Sequence, residues 1–358
     1  MPIDLRTQKL AKLVVKYSVF VQPDENVVIS GSSEAQDFII ALYKEVLLAG
    51  GHPILRVNLP GLTPFFYKHA KEHQIKKFPD HFDYTVKNAQ KYIGIDTESN
   101  TRELTNADSK KMTERAKVTH PISDYIVNQK DKIRRCTVGF PCEALAQEAE
   151  MSLTEYEYFV YNACLQDWNK INRKMDKILS RFKKGHKVHL IGENVDLKME
   201  IHGSLAVADK GEENMPGGEI FMAPVRESLN GWIKFDYPAI RDGKEVTDVF
   251  LRFEKGKAIE AKASKNQNFL LEMLKIDKNS SYVGELGIGL NPKINVFTKN
   301  LLFDEKINGT IHLALGMAYK ENGGGNDSAI HWDIVKEMKK GKIILDEKVI
   351  QDKGVWKI

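Results

Sequence analysis

The sequence predicts an α/β protein in two parts: an N-terminal open α/β sheet domain over residues 1–185 and a C-terminal, mostly β (α+β) metal-binding domain over residues 186–358. Three observations lead there. Helical and strand periods alternate through the first half, short strand-length runs separated by turn signals fill the second, and 358 residues exceed what one hydrophobic core usually organises.

Leu10, Leu13, Val14, Tyr17 and Ser18 fall on one stripe at helical spacing. Residues 26–30 are a short β-rich run, residues 35–49 read as a helix that stops at Gly50-Gly51, and residues 53–57 are strand-like again. This is a βαβ unit, whose two strands should run parallel. Further strands are predicted at residues 92–95 and 135–140, with helices between and after. A long polar helical pattern from about residue 152 to 182 reads as a connector. Beyond it come strands at residues 188–191, 197–201, 232–235, 249–253 and 258–261, with turns such as Asp242-Gly243 and Lys255-Gly256 between them. Residues 343–350 end the chain as a hairpin.

Composition narrows the function classes. Hydrophobic residues at 42% and charged residues at 28% exclude a disordered chain. The net charge of +4 comes from scattered Lys and Arg, and the pairs Lys110-Lys111, Lys183-Lys184 and Lys339-Lys340 lack the interleaved aromatics of a base-stacking surface. No nucleic-acid partner is expected. Neither an apolar leader nor a run of roughly 18 uncharged apolar residues is present, so a soluble protein with no membrane association is expected. Cys136, Cys142 and Cys164 are odd in number and form no CxxC pair, which suits a reducing cytoplasm.

The chemistry concentrates between Glu285 and Asp333, where Glu285, His312, Tyr319, His331 and Asp333 occur in Gly-punctuated or strand-like contexts, with Glu219 upstream. Carboxylate oxygens mixed with imidazole nitrogens suit first-row dications such as Zn, Co or Mn, whereas an all-oxygen set favours Mg or Ca. Three carboxylates plus a bridging hydroxide balance two dications, which favours a dinuclear site. On a strand His331 and Asp333 face the same side, and His312 is a single polar side chain in an apolar segment. Any one of these residues alone reads as a core histidine or a turn glutamate; their combination carries the argument. Gly284, Gly287 and Gly289 match neither GxGxxG nor GxxxxGK[ST], so no nucleotide loop is expected. Gly323-Gly324-Gly325-Asn326-Asp327, just before His331, reads as a mobile rim through which substrate enters.

Four motifs occur in order: residues 214–224 around Glu219, residues 284–292 around Glu285, Asp304-Glu305-Lys306 leading into residues 309–316 around His312 with Tyr319 beyond, and His331-Trp332-Asp333. In this order they resemble the thermophilic aminopeptidase family of metallopeptidases, M29, over essentially the whole chain. The resemblance implies a two-domain cytoplasmic homodimer that removes N-terminal residues from peptides with two divalent metals. Carried over, the metal ligands are Glu219, Glu285, His312, His331 and Asp333. Tyr319 then stabilises the tetrahedral oxyanion, and a carboxylate such as Glu285 shuttles the proton; either Glu285 or Asp333 bridges the metals. Two alternatives stand beside this reading. One is a dinuclear phosphoesterase, against which the ligand motifs are read as having no Lys or Arg built in, Arg226 and Lys293 being the nearest; the other is a peptide-binding protein that keeps the fold without catalysis.

Overall fold

The structure, a computed structural model, describes residues 3–241 and 243–357. The chain divides into two compact units, one of Met1–Gln166 with Gly211–Gly217 and the other of Asp167–Lys210 with Gly218–Ile358.

The first unit is built on a parallel sheet. Among the described residues its strands lie in the order His52–Asn58, Asn26–Ser32, Lys91–Asp96, Arg134–Gly139, Asn214–Met215, every neighbouring pair parallel. The predicted βαβ unit is its start: Asn26–Ser32, the helix Gln36–Leu48, then His52–Asn58 paired in parallel with the first strand. Val27, Val28 and Ile29 are fully buried, as expected for a strand covered on both faces. The helix stops where Gly50 takes φ 85°, a backbone only Gly adopts cheaply.

The long polar helix expected over residues 152–182 is two helices. Leu153–Cys164 is opened by a capping box, with the Glu155 amide donating to Ser152 Oγ at 3.3 Å and the Ser152 amide donating to Glu155 Oε2 at 2.9 Å. Trp168–Phe182 is restarted by Asp167, whose carboxylate accepts from the Lys170 amide at 3.0 Å. The boundary between the units falls at this break, and the second helix joins the second unit.

Among the described residues the second unit holds an eight-stranded antiparallel sheet in the order Lys257–Lys262, Phe250–Glu254, Asn230–Lys234, Val195–Glu200, Lys187–Gly192, Gly341–Leu345, Lys348–Asp352, Val355–Trp356, and a five-stranded antiparallel sheet in the order His331–Glu337, Thr310–Gly316, Val283–Gly289, Glu219–Met222, Val207–Asp209. The predicted terminal hairpin is the pair Gly341–Leu345 and Lys348–Asp352. A ribbon pairs Ala239–Arg241 with Lys244–Val246; of the predicted turn between them Gly243 has φ 70°, and Asp242 lies outside the described residues. One core joins both sheets to the helix Trp168–Phe182 through Met175, Ile178, Leu179 and Phe182. Each of these buried side chains contributes roughly 1.5–3 kcal/mol relative to leaving it exposed.

The five-stranded sheet is apolar on one face only. Ile220, Leu286, Ile288, Ile311, Leu313, Trp332 and Ile334 belong to the core, so the residues that alternate with them face the other way. No helix among the described residues is long and apolar enough to cross a membrane.

Candidate metal centre

The opposite face of that sheet carries the chemistry, and strand register sets its layout. Asp209, Glu219 and Gly289 form one row, Phe221, Gly287 and His312 the next, Glu285, Ala314 and Asp333 a third, and Gly316 with His331 a fourth. Successive rows are two residues apart along the strands, about 7 Å. His312 therefore lies in the row between Glu219 on one side and Glu285 with Asp333 on the other.

Gly287 makes this arrangement possible. A Cβ at Gly287 would lie 1.8 Å from His312 Nε2, so the imidazole lies across the neighbouring strand in the space a side chain would take. From there His312 Nε2 reaches to 3.5 Å from Glu219 Oε2 and 3.4 Å from Glu285 Oε1. Two groups of potential ligand atoms result, each with its atoms within 4.8 Å of one another: Glu219, Glu305 and His312, and Glu285, His312 and Asp333. His312 belongs to both. His331 flanks the second, its Nε2 3.4 Å from Asp333 Oδ2 and its Nδ1 2.9 Å from the Met317 carbonyl. That carbonyl orients the ring, as the outer partners of metal-binding imidazoles do. The Tyr319 ring is 5.2 Å from the His331 ring and 6.5 Å from the Phe221 ring, centroid to centroid.

The sequence-predicted residues thus assemble on one face, with Tyr319 at its rim. Two neighbours had no role in the sequence reading. Glu305 joins the first ligand group, and Lys306 is fully buried beneath it, 3.2 Å from Glu219 Oε1, 3.9 Å from Asp209 Oδ2 and in contact with Glu305 Oε1. The expectation that no Lys belongs to the ligand motifs is corrected: Lys306, in the motif Asp304-Glu305-Lys306, is a cation inside the site. The short helix Leu301–Asp304, capped by Asn300, turns the chain there, and the Asn291 amide donates to the Lys306 carbonyl at 3.1 Å. Periodicity over four residues cannot reveal such a turn. The signal available was the three-residue motif itself.

The donor set fits a cation. Both ring nitrogens of His312 and Oδ1 of Asp333 are buried without a hydrogen-bond partner among the described residues, a costly state that a bound ion relieves. Burial works against a charged His312, yet Glu285, Asp333 and Glu219 push its imidazole up to about 10. His331 is raised likewise, burial opposing and Asp333 and Glu285 prevailing. Glu219 is raised well above the usual carboxylate range by burial and by Glu305, against the pull of Lys306 and His312. Carboxylates crowded around both imidazoles make this a pocket of negative charge, in which a metal ion would take the place of a proton.

Residues 3–354 match the family described as thermophilic metalloprotease (M29). The chain belongs to the M29 family. Among its relatives, aminopeptidase AmpS of Bacillus subtilis is 26% identical across 94% of this chain and 90% of its own length. Aminopeptidase T of Thermus thermophilus is 32% identical over 46% of this chain and 47% of its own. The solved structure of wild-type AmpT from Thermus thermophilus superposes with a TM-score of 0.84 at 22% identity, covering 99% of both chains. A 2,5-dihydroxypyridine dioxygenase from Pseudomonas putida has a TM-score of 0.60 at 13% identity, over 98% of this chain and 96% of its own. This M29 chain is accordingly a metal-dependent hydrolase of peptide bonds, on a fold that also supports other chemistry.

Proposed function

We propose that the chain is an aminopeptidase that releases N-terminal residues from peptides at a dinuclear site, the two divalent ions (Zn, Co or Mn) held by Glu219, Glu285, His312, His331 and Asp333. The observation that carries this reading is the pair of ligand groups sharing His312 on one sheet face, with the orphaned atoms of His312 and Asp333 inside them. Full-length relatives named aminopeptidases support the reaction. Charge supports the nuclearity. The carboxylates of Asp209, Glu219, Glu285, Glu305 and Asp333 with the Lys306 ammonium leave a formal −4, which two dications neutralise.

When bound, the ions supply Lewis acidity that acidifies water and polarises a carbonyl oxygen. The protein does the rest. Tyr319 donates a hydrogen bond from its phenol to the oxyanion that develops on the scissile carbonyl. Glu285 accepts the proton of the attacking water at a carboxylate oxygen and returns it to the leaving amine. His331, aligned by the Met317 carbonyl, keeps the Asp333 side of the site in register. A free α-amino group, cationic or able to ligate, suits this acidic face, which restricts cleavage to the chain end.

Hydrolysis of an unblocked aminoacyl anilide, with none of its N-acetylated form or of a phosphate ester, is the expected result; equal turnover of the acetylated compound removes the exopeptidase reading. The phosphoesterase alternative lacks an anchor. Arg226 is committed to Asn279 Oδ1 at 2.6 Å and to the face of Tyr282, Lys293 is exposed, and Lys306 is enclosed by carboxylates. Turnover also separates the non-catalytic peptide-binding alternative. The cytoplasmic location is supported by Cys136, Cys142 and Cys164, which are buried thiols. A homodimer accords with the family and requires a particle of twice the 40.7 kDa chain mass in light scattering.

A further inference from the structure

Lys306 is the least ordinary residue of the second unit. A fully buried ammonium is costly unless paired, and this one meets Glu219, Glu305 and Asp209 together. Its place is built in. The Lys306 amide donates to the Phe303 carbonyl at 3.0 Å, its carbonyl accepts from Asn291, and Asp304 anchors the turn by accepting from the Thr298 amide at 2.7 Å and its hydroxyl at 2.9 Å. Lys306 takes Oε1 of Glu219 and leaves Oε2 directed at His312. The Glu285, His312 and Asp333 group has no Lys or Arg within ion-pair distance among the described residues, so the cation serves one half of the face.

We propose that Lys306 is a positioning residue, an internal counter-cation that holds Glu219 and Glu305 beside Asp209 in the metal-free chain and so keeps the metal face formed before loading. It rests on the metal-site reading above. In the metal-free chain the buried carboxylates of Asp209 and Glu219 and the half-buried one of Glu305 would otherwise repel one another with no compensating charge, and the strands bearing Asp209 and Glu219 would part. Bound metal supplies the same positive charge. Its stabilising effect must therefore grow when Lys306 is removed.

The test compares melting temperatures of the full-length chain, stripped with EDTA and then reloaded with Co²⁺, for wild type, Lys306→Met and Lys306→Arg. Expected is a lower metal-free Tm in Lys306→Met, a Co²⁺-induced gain larger than that of wild type by several degrees, and a near-wild-type gain in Lys306→Arg. Recovery of folded Lys306→Met only in the presence of Co²⁺ is the same result at its limit. A merely packed Lys306 lowers both melting temperatures equally, so an unchanged or smaller gain overturns the proposal, as does a Lys306→Met chain unfolded with and without Co²⁺. A wild-type chain that retains no cobalt by elemental analysis and shows no gain overturns the metal-site reading itself, a result distinct from a wild-type gain that Lys306→Met fails to enlarge.

Discussion

Gly287 and His312 depend on each other: the imidazole reaches its carboxylates only because the facing position has no side chain. Gly287→Ala should therefore displace the ring and lower kcat/KM by roughly 100-fold with loss of bound metal, while circular dichroism stays that of the folded chain; normal metal content in elemental analysis would contradict it. Glu285→Gln and His331→Ala are expected to abolish hydrolysis by losing metal, and a content near two ions per chain in Glu285→Gln would count against its assignment as a ligand. Tyr319→Phe should keep the metal and lose roughly 100- to 1000-fold in kcat, the usual worth of one oxyanion donor. The acids, histidines and Tyr319 could be read from the sequence because their types state their chemistry. Glu305 and Lys306 could not, since a carboxylate beside a lysine reads as an ordinary surface pair until the turn after Leu301–Asp304 is seen to bury it.

Strands carry most of this site, and alternation was the sequence signal that found them. His331 and Asp333 share a face as the period of two requires, with Trp332 on the other side donating its indole N–H to the Ile240 carbonyl at 3.2 Å. The glycines at 287 and 289, read against a phosphate loop, lie on the strand Val283–Gly289, where a Cβ at Gly289 would meet the Ile307 carbonyl oxygen at 2.0 Å. Which strands neighbour one another was not legible, because register depends on partners distant in sequence. The Asp167 cap lies within a polar pattern that is continuous along the chain, so the pattern alone predicts one helix where the structure has two. Ser152→Ala, which breaks the capping box of Leu153–Cys164, should cost about 1 kcal/mol, seen as a lower denaturation midpoint with activity per folded molecule unchanged.

The proposed ligands all come from one sheet of the second unit, so metal removal should act unevenly. At metal concentrations 100 times Kd the bound state gains about 2.7 kcal/mol. Chelation should thus lower the melting temperature and speed hydrogen exchange at Val283–Gly289, Thr310–Gly316 and His331–Glu337, while the parallel sheet around Asn26–Ser32 stays protected. Uniform loss of protection across both sheets would refute that separation. Fold likeness alone would not have identified the reaction, because the dioxygenase shares the architecture.

Residue chemistry, strand alternation, the parallel βαβ opening and the family motifs are local properties, written within a few positions of one another, and the linear chain was enough to establish them. The rows that bring Glu219, Glu285, His312 and Asp333 to one place, the imidazole lying over Gly287, and the burial of Lys306 among three carboxylates arise from pairings between segments up to a hundred residues apart. They became visible only in the folded chain, because side-chain proximity across a sheet is set by register and packing, which no local pattern encodes.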